Sequence, residues 1–200
     1  MTNCLFAYID SSSGVELTGY KSLNGDVVIP AKYFDGSDTL CQMALVLDAK
    51  LGFVGIDQHD SIILVPFIFD NGPDYVEEGL FRFVEKEKIG FANLDGQKII
   101  PAKYDFATPF VDGISTYSIG GERMYDGKTR TQIIQESGEE GLREGHWVWG
   151  GAVTERGYLN KCGDEFVEVT DLHGNERKAW TKDKKHLLLD KDGRILKTIE

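Results

Sequence analysis

The sequence predicts an all-β protein, an antiparallel array of β-hairpin repeats, curved or propeller-like, with one short irregular insertion. Three observations carry this reading. Residues 19–33 (Gly-Tyr-Lys-Ser-Leu-Asn-Gly-Asp-Val-Val-Ile-Pro-Ala-Lys-Tyr) and 90–104 (Gly-Phe-Ala-Asn-Leu-Asp-Gly-Gln-Lys-Ile-Ile-Pro-Ala-Lys-Tyr) align without a gap and agree at eight of fifteen positions. Each copy holds a turn dipeptide, Asn24-Gly25 or Asp95-Gly96, between short apolar runs; this is the strongest short-range hairpin signal, because tight hairpin loops need positive φ. The spacing of the two glycines recurs, with starts near 19, 55, 90, 121, 157 and 187, a period that belongs to solenoids, propellers and arrays.

Within a copy, Pro30 and Pro101 end the second strand, because proline cannot donate to a ladder. Tyr33 and Tyr104 follow three residues later as packing residues that tie one unit to the next. Residues 157–163 keep Gly, aromatic, Asn and Gly. Counting back from Pro66 places a copy at 55–66, with Ser61 at the turn. Residues 187–193 close the series, and one repeat domain over 1–200 follows.

Taken in order, the chain begins with a strand over Leu5 to Ile9, a Ser-rich turn through Gly14 and a second strand, read as a capping hairpin. Cys41 to Leu47 is a strand by length and flanks. Ser61 to Phe69 is apolar, with Pro66 bending its end. Asp70 to Glu78 reads as an acidic loop. Leu80, Phe81, Phe83 and Val84 form the next strand, which turns at Glu85–Lys88 into Gly90, so each unit holds three strands. Residues 117–156 interrupt the pattern. Gln132 to Gln135 fits a strand, and Glu136 to Glu144 an exposed loop or one helical turn. Elaborated units of repeat arrays map to loops on one face, often the binding face.

The run Gly-Phe-Ala-Asn-x-x-Gly-x-x-Ile-Ile-Pro-x-x-Tyr-Asp at 90–105 resembles the WG (also called KWG) repeat of bacterial proteins. Thr18 and Ile89 stand where that family usually has Trp. The resemblance covers 19–110 clearly and 157–199 loosely. It implies an all-β array of hairpins and carries no catalytic motif. Some small members sit beside secreted toxins, which implies an immunity or partner-binding role.

Composition narrows the function further. The net charge of −11 argues against general nucleic-acid binding, which needs a basic surface, and favours basic partners. Residues 176–200 hold 8 Lys or Arg and 5 Asp or Glu, a net of +3, so residues 1–175 carry −14. Lys182, Lys184 and Lys185 read as part of a solvated outer strand. The N-terminus lacks the basic start and apolar run of a signal peptide, and no apolar run is long enough for a membrane span. Cys4, Cys41 and Cys162, an odd number at wide spacing, read as free thiols of a cytoplasmic protein.

Candidate chemistry is sparse. His59, His146, His173 and His186 and the cysteines form no paired ligand set for zinc. Asp190-Lys191-Asp192-Gly193 reads as a hairpin turn rather than a calcium loop. No nucleophile elbow, phosphate loop or dinucleotide fingerprint is present, so no catalytic residue, cofactor or metal is expected. Trp147 and Trp149 alternate onto one face of a strand, either as core or as interface anchors. With Glu136, Glu139, Glu140 and Glu144 they make the expected partner-binding set. The leading expectation is a non-enzymatic module that binds a basic protein, in concrete form an immunity-type protein that masks a toxin. An enzyme with a site on the repeat loops, and a structural or regulatory module without a single partner, are the rival classes.

Overall fold

A computed structural model of the chain describes residues 4–69, 71–125, 127–138 and 147–199. The fold is all-β and antiparallel, with one short helix among the described residues. The chain divides into two compact units, Met1–Ala102 and Lys103–Glu200.

The first unit contains β1 (Leu5–Asp10), β2 (Leu17–Lys21), β3 (Val27–Tyr33), β4 (Asp35–Gly36), β5 (Thr39–Leu40), β6 (Ala44–Asp48), β7 (Gly52–Ile56), β8 (Ile62–Pro66), β9 (Ile68–Phe69), β10 (Gly72–Pro73), β11 (Phe81–Glu85) and β12 (Lys88–Ala92), with β13 (Lys98–Tyr104) crossing its end. One sheet runs β3-β2-β1-β5 and another β13-β12-β11-β8-β7-β6-β4. The second unit contains β14 (Phe106–Ala107), β15 (Ile114–Tyr125), β16 (Lys128–Thr129), α1 (Arg130–Ser137), β17 (Trp147–Asn160), β18 (Glu165–Phe166), β19 (Glu168–Val169), β20 (Glu176–Trp180), β21 (His186–Asp190) and β22 (Ile195–Ile199). Its sheets run β14-β15-β17-β18, with β16 on β15, and β19-β20-β21-β22. The three-stranded unit therefore recurs as β1-β2-β3, β6-β7-β8, β11-β12-β13, β15-β17-β18 and β20-β21-β22.

The two copies that define the repeat are equivalent in burial as well as sequence: β3 and β13 alternate identically, and Tyr33 and Tyr104 are both buried. Gly25, Gly96, Gly163 and Gly193 all have positive φ, as the hairpin reading requires. The turns at Gly96, Gly163 and Gly193 share one device. A polar side chain at the first position accepts from backbone N–H groups two and four residues on: Asn93 Oδ1 from Asp95 and Gln97, Asn160 Oδ1 from Cys162 and Asp164, Asp190 Oδ1 from Asp192 and Arg194. Asp57 Oδ1 does the same with His59 and Ser61, which puts Asp60 (φ 65°), not Ser61, at the glycine position. The second copy is therefore one residue out of the register counted back from Pro66.

Other expectations need revision. Gly121 and Gly127 do not open a repeat unit; they lie within and at the tip of the long β15–β17 hairpin. Phe91 is buried, but its counterpart Tyr158 is only half-buried. Lys182, Lys184 and Lys185 belong to the turn between β20 and β21 rather than to an outer strand, with Lys184 at φ 64°. Asp70 lies outside the described residues; Asp74, from the same acidic stretch, is buried. It accepts from Arg82 N, Nε and Nη2 at 3.0, 2.8 and 2.6 Å. Cys4 and Cys41 form a disulfide beside the Leu5–Leu40 pair of β1 and β5, so only Cys162 is a free thiol. Wide sequence spacing hid the pair because β5 returns the chain to β1.

Candidate functional site

The elaborated unit grows out of an ordinary one. Below its irregularity, β15 and β17 pair as any first and second strand of the repeat, from Ile114–Asn160 to Ser118–Arg156. The register then slips at Gly120, whose φ is 72°, and pairing resumes from Glu122–Gly150 to Tyr125–Trp147. Bulges of this kind re-aim a strand. The tip carries β16 and α1. Thr129 caps α1 by accepting from the Gln132 N–H while Gln132 Oε1 accepts from the Thr129 N–H. This capping box explains why Gln132 to Gln135 is helix and not the strand that the sequence suggested. No residue of α1 is buried.

Of the expected partner-binding set, Glu136 lies on α1, exposed and paired with Lys128 at 2.5 Å. Glu139, Glu140 and Glu144 fall outside the described residues, as does His146. Trp147 and Trp149 share one side of β17, both half-buried. Phe106 joins them: it stacks on Trp149 with centroids 5.3 Å apart and meets Trp147 edge-on at 5.7 Å. The Trp149 indole N–H donates to the Gly120 carbonyl at 2.9 Å, which ties the ring to the bulge. The Arg123 guanidinium lies 4.6 Å from the Trp147 ring centre. The pair is thus neither closed core nor free surface. Phe106 follows the Tyr104-Asp105 end of a repeat copy, and nothing in its sequence context marked it. At the foot of the hairpin a cleft of about 450 Å³ opens beside Trp149, Phe106 and Arg156.

A second cluster of ionisable groups occupies the same unit. Tyr104 donates to Glu165 at 2.9 Å and Tyr117 to Glu155 at 2.7 Å, with Lys103 on Glu165 at 2.7 Å and Lys182 on Glu155 at 2.6 Å. Burial pushes both phenols up, and the carboxylates that accept from them push further. Burial pulls Glu165 up, but hydrogen bonds from Lys103 and Tyr104 and the two lysine charges hold it below the ordinary carboxylate range. Glu155 is held down by hydrogen bonds from Lys182 and Tyr117. The cluster is a packing device: in the first unit Tyr33 and Lys32 meet Asp60 in the same way, at 2.6 and 2.5 Å. The motif is repeated in two copies, with its charges mutually paired.

Residues 89–122 match the family model described as WG containing repeat. The chain carries a WG containing repeat. The matched stretch takes in the Asn93 turn, β13 and most of β15. Comparison with curated proteins finds no match. In the WG repeat the first glycine has a packing reason: a Cβ on Gly90 would lie 2.6 Å from the Ile100 carbonyl oxygen and 2.7 Å from the Ala102 nitrogen. Gly19 meets Ala31 and Ile29 in the same way. Among the described residues, no group of His, Cys, Asp and Glu is arranged to hold a metal ion, and no helix is long and apolar enough to cross a membrane.

Proposed function

We propose that this chain is a non-enzymatic protein-binding repeat module whose recognition surface is the tip of the elongated β15–β17 hairpin. The observation that carries the reading is the Trp147–Trp149–Phe106 cluster, half-buried on the one unit whose hairpin is extended by an insertion. Half-buried tryptophans tied to a rigid strand are suited to anchor a partner at little entropic cost. The net charge of −11 favours a basic partner and steers its approach. In its finer form the reading is an immunity-type protein that masks a basic toxin, in keeping with the resemblance drawn from 90–105. A cytoplasmic site of action loses one support: Cys4 and Cys41 are joined, and disulfides persist in oxidising compartments.

The test is comparative capture from the native cell extract, using the intact chain and a chain in which 126–146 is replaced by Asn-Gly. A basic protein retained by the first and not the second fits the reading. Its association should slow as salt rises, and Trp147→Ala should speed its dissociation. Identical captured proteins, or association indifferent to salt, overturn it.

A further inference from the structure

Below its bulge the β15–β17 hairpin carries a cleft that shares Phe106 and Trp149 with the proposed protein-binding cluster and adds polar groups that reading does not use. Thr116 pairs with Tyr158 and Ser118 with Arg156. Directly paired side chains share a face, with Cβ atoms roughly 4.5–5.5 Å apart. All four residues line the cleft of about 450 Å³, and Phe106 and Trp149 form its aromatic wall. That volume lies in the range of small-molecule sites.

The polar groups in the cleft are short of partners. Arg156 is the one charged residue lining it, and its guanidinium makes no ion pair or hydrogen bond among the described residues. Ser118 is only 8% exposed, yet its hydroxyl also has no partner among them. The Tyr158 hydroxyl is in the same position. By contrast, Thr116 shares its hydroxyl with Thr108 at 3.2 Å. The Ser118 hydroxyl is not sealed in the core: it lines the cleft, where it is placed to meet a bound acceptor. Three donors without a partner among the described residues thus line a cleft with an aromatic wall.

We propose that this cleft binds a small aromatic carboxylate. The ring lies along Phe106 and Trp149, and the carboxylate accepts from the Arg156 guanidinium and the Ser118 hydroxyl. A guanidinium matches a carboxylate through two parallel hydrogen bonds. A cation is repelled by Arg156. A doubly charged phosphate would leave its second charge unmatched by the described residues, among which Arg156 is the one cation lining the cleft.

The experiment is a titration of the intact, isotopically labelled chain with 2-naphthoate, followed by amide and indole N–H spectra, with neutral 2-naphthamide as control. Saturable shifts are expected at the Trp149 indole and at the Ser118 and Gly157 amides. Arg156→Gln should weaken naphthoate binding about tenfold or more, the effect of losing a charged hydrogen-bond donor, and leave naphthamide unchanged. Ser118→Ala gives a second, conservative variant whose fold is not in question, and it should weaken naphthoate severalfold. The absence of saturation, shifts confined to Trp147 and Trp180, or equal naphthoate affinity in both variants and the parent overturns the proposal. Replacing 126–146 by Asn-Gly removes the outer part of the protein-binding tip but keeps Phe106, Trp149 and the cleft, and should leave naphthoate binding intact, so the two readings fail separately.

Discussion

Gly90 and Gly96 lie six residues apart in one repeat copy and answer to different constraints. Gly96 is needed for its backbone angle, φ 78°. Gly90 is needed because the backbone of β13 passes where a Cβ would be. Gly25 isolates the first effect, since nothing lies within 4 Å of its virtual Cβ while its φ is 93°. Gly25→Ala should therefore cost about 1 kcal/mol. Gly90→Ala should cost about 1–3 kcal/mol through overpacking against backbone that cannot rotate away. Urea unfolding of the two variants checks the order, and an equal or smaller loss for Gly90→Ala would contradict the close-packing account. The tyrosines set a pH limit at the same scale. Burial and the charges of Asp35 and Asp38 push Tyr20 up to about 12. Tyr33, Tyr104 and Tyr117 are raised as well, first by burial and then by their carboxylate acceptors. A raised phenol favours the protonated, folded state. Its contribution is fully present below the ordinary value of 10.0 and is lost as pH rises through the folded values. Glu155 and Glu165 are lowered, so their contribution is present above the ordinary 4.5 and lost as pH falls. The urea midpoint should stay level between those two values and decline on either side, and Tyr20→Phe should blunt the alkaline decline.

Individual elements are held by two covalent or ionic ties that the sequence did not disclose. The Cys4–Cys41 bond spans 37 residues and fastens the start of β1 beside β5. Replacing both cysteines by serine should lower stability by about 2–4 kcal/mol, mainly by freeing the unfolded chain. A reductant should destabilise the parent equally and leave the double variant unmoved, which a urea series with and without reductant will show. The Asp74–Arg82 pair, with side chains 1% and 4% exposed, fixes the irregular stretch between β9 and β11. Arg82→Met strands a buried carboxylate and should cost about 3–5 kcal/mol. Adding Asp74→Asn should recover part of that loss. Neither tie was legible, because each joins residues through strand pairing and not through a local motif. Turns were far more legible, since their signals are local. Asn24-Gly25 and Asp95-Gly96 announced themselves, whereas Lys86-Glu87, both at positive φ, closes the two-residue β11–β12 hairpin with no such signature. The Asp57 turn was misplaced by one residue because Pro66 stands six residues after Asp60, while Pro101 stands five after Gly96. The cap oxygen, not the proline, sets the register.

At the scale of the whole molecule, the repeat explains which parts are interchangeable and which are particular. Five meanders share one strand order, and four of them close their first hairpin within a few residues. The fourth meander instead runs on through the bulge at Gly120 to Tyr125 and returns at Trp147. That difference was visible in the sequence as a break in the period over 117–156. The place of its tryptophans was not, because Phe106 and the bulge that present them lie on other strands. The helix α1 adds nothing to the core, since it buries no residue. Tyr125 and Trp147 are direct cross-strand partners, so an Asn-Gly dipeptide in place of 126–146 closes the hairpin with a favoured two-residue turn. If the array is a scaffold and the tip a recognition element, this variant should keep its urea midpoint within about 1 kcal/mol of the parent's stability, as surface changes away from packed features do. It should at the same time lose the basic partner that the intact chain retains. Loss of folding together with loss of binding would instead make the tip part of the scaffold, and full binding without the tip would place recognition elsewhere on the array.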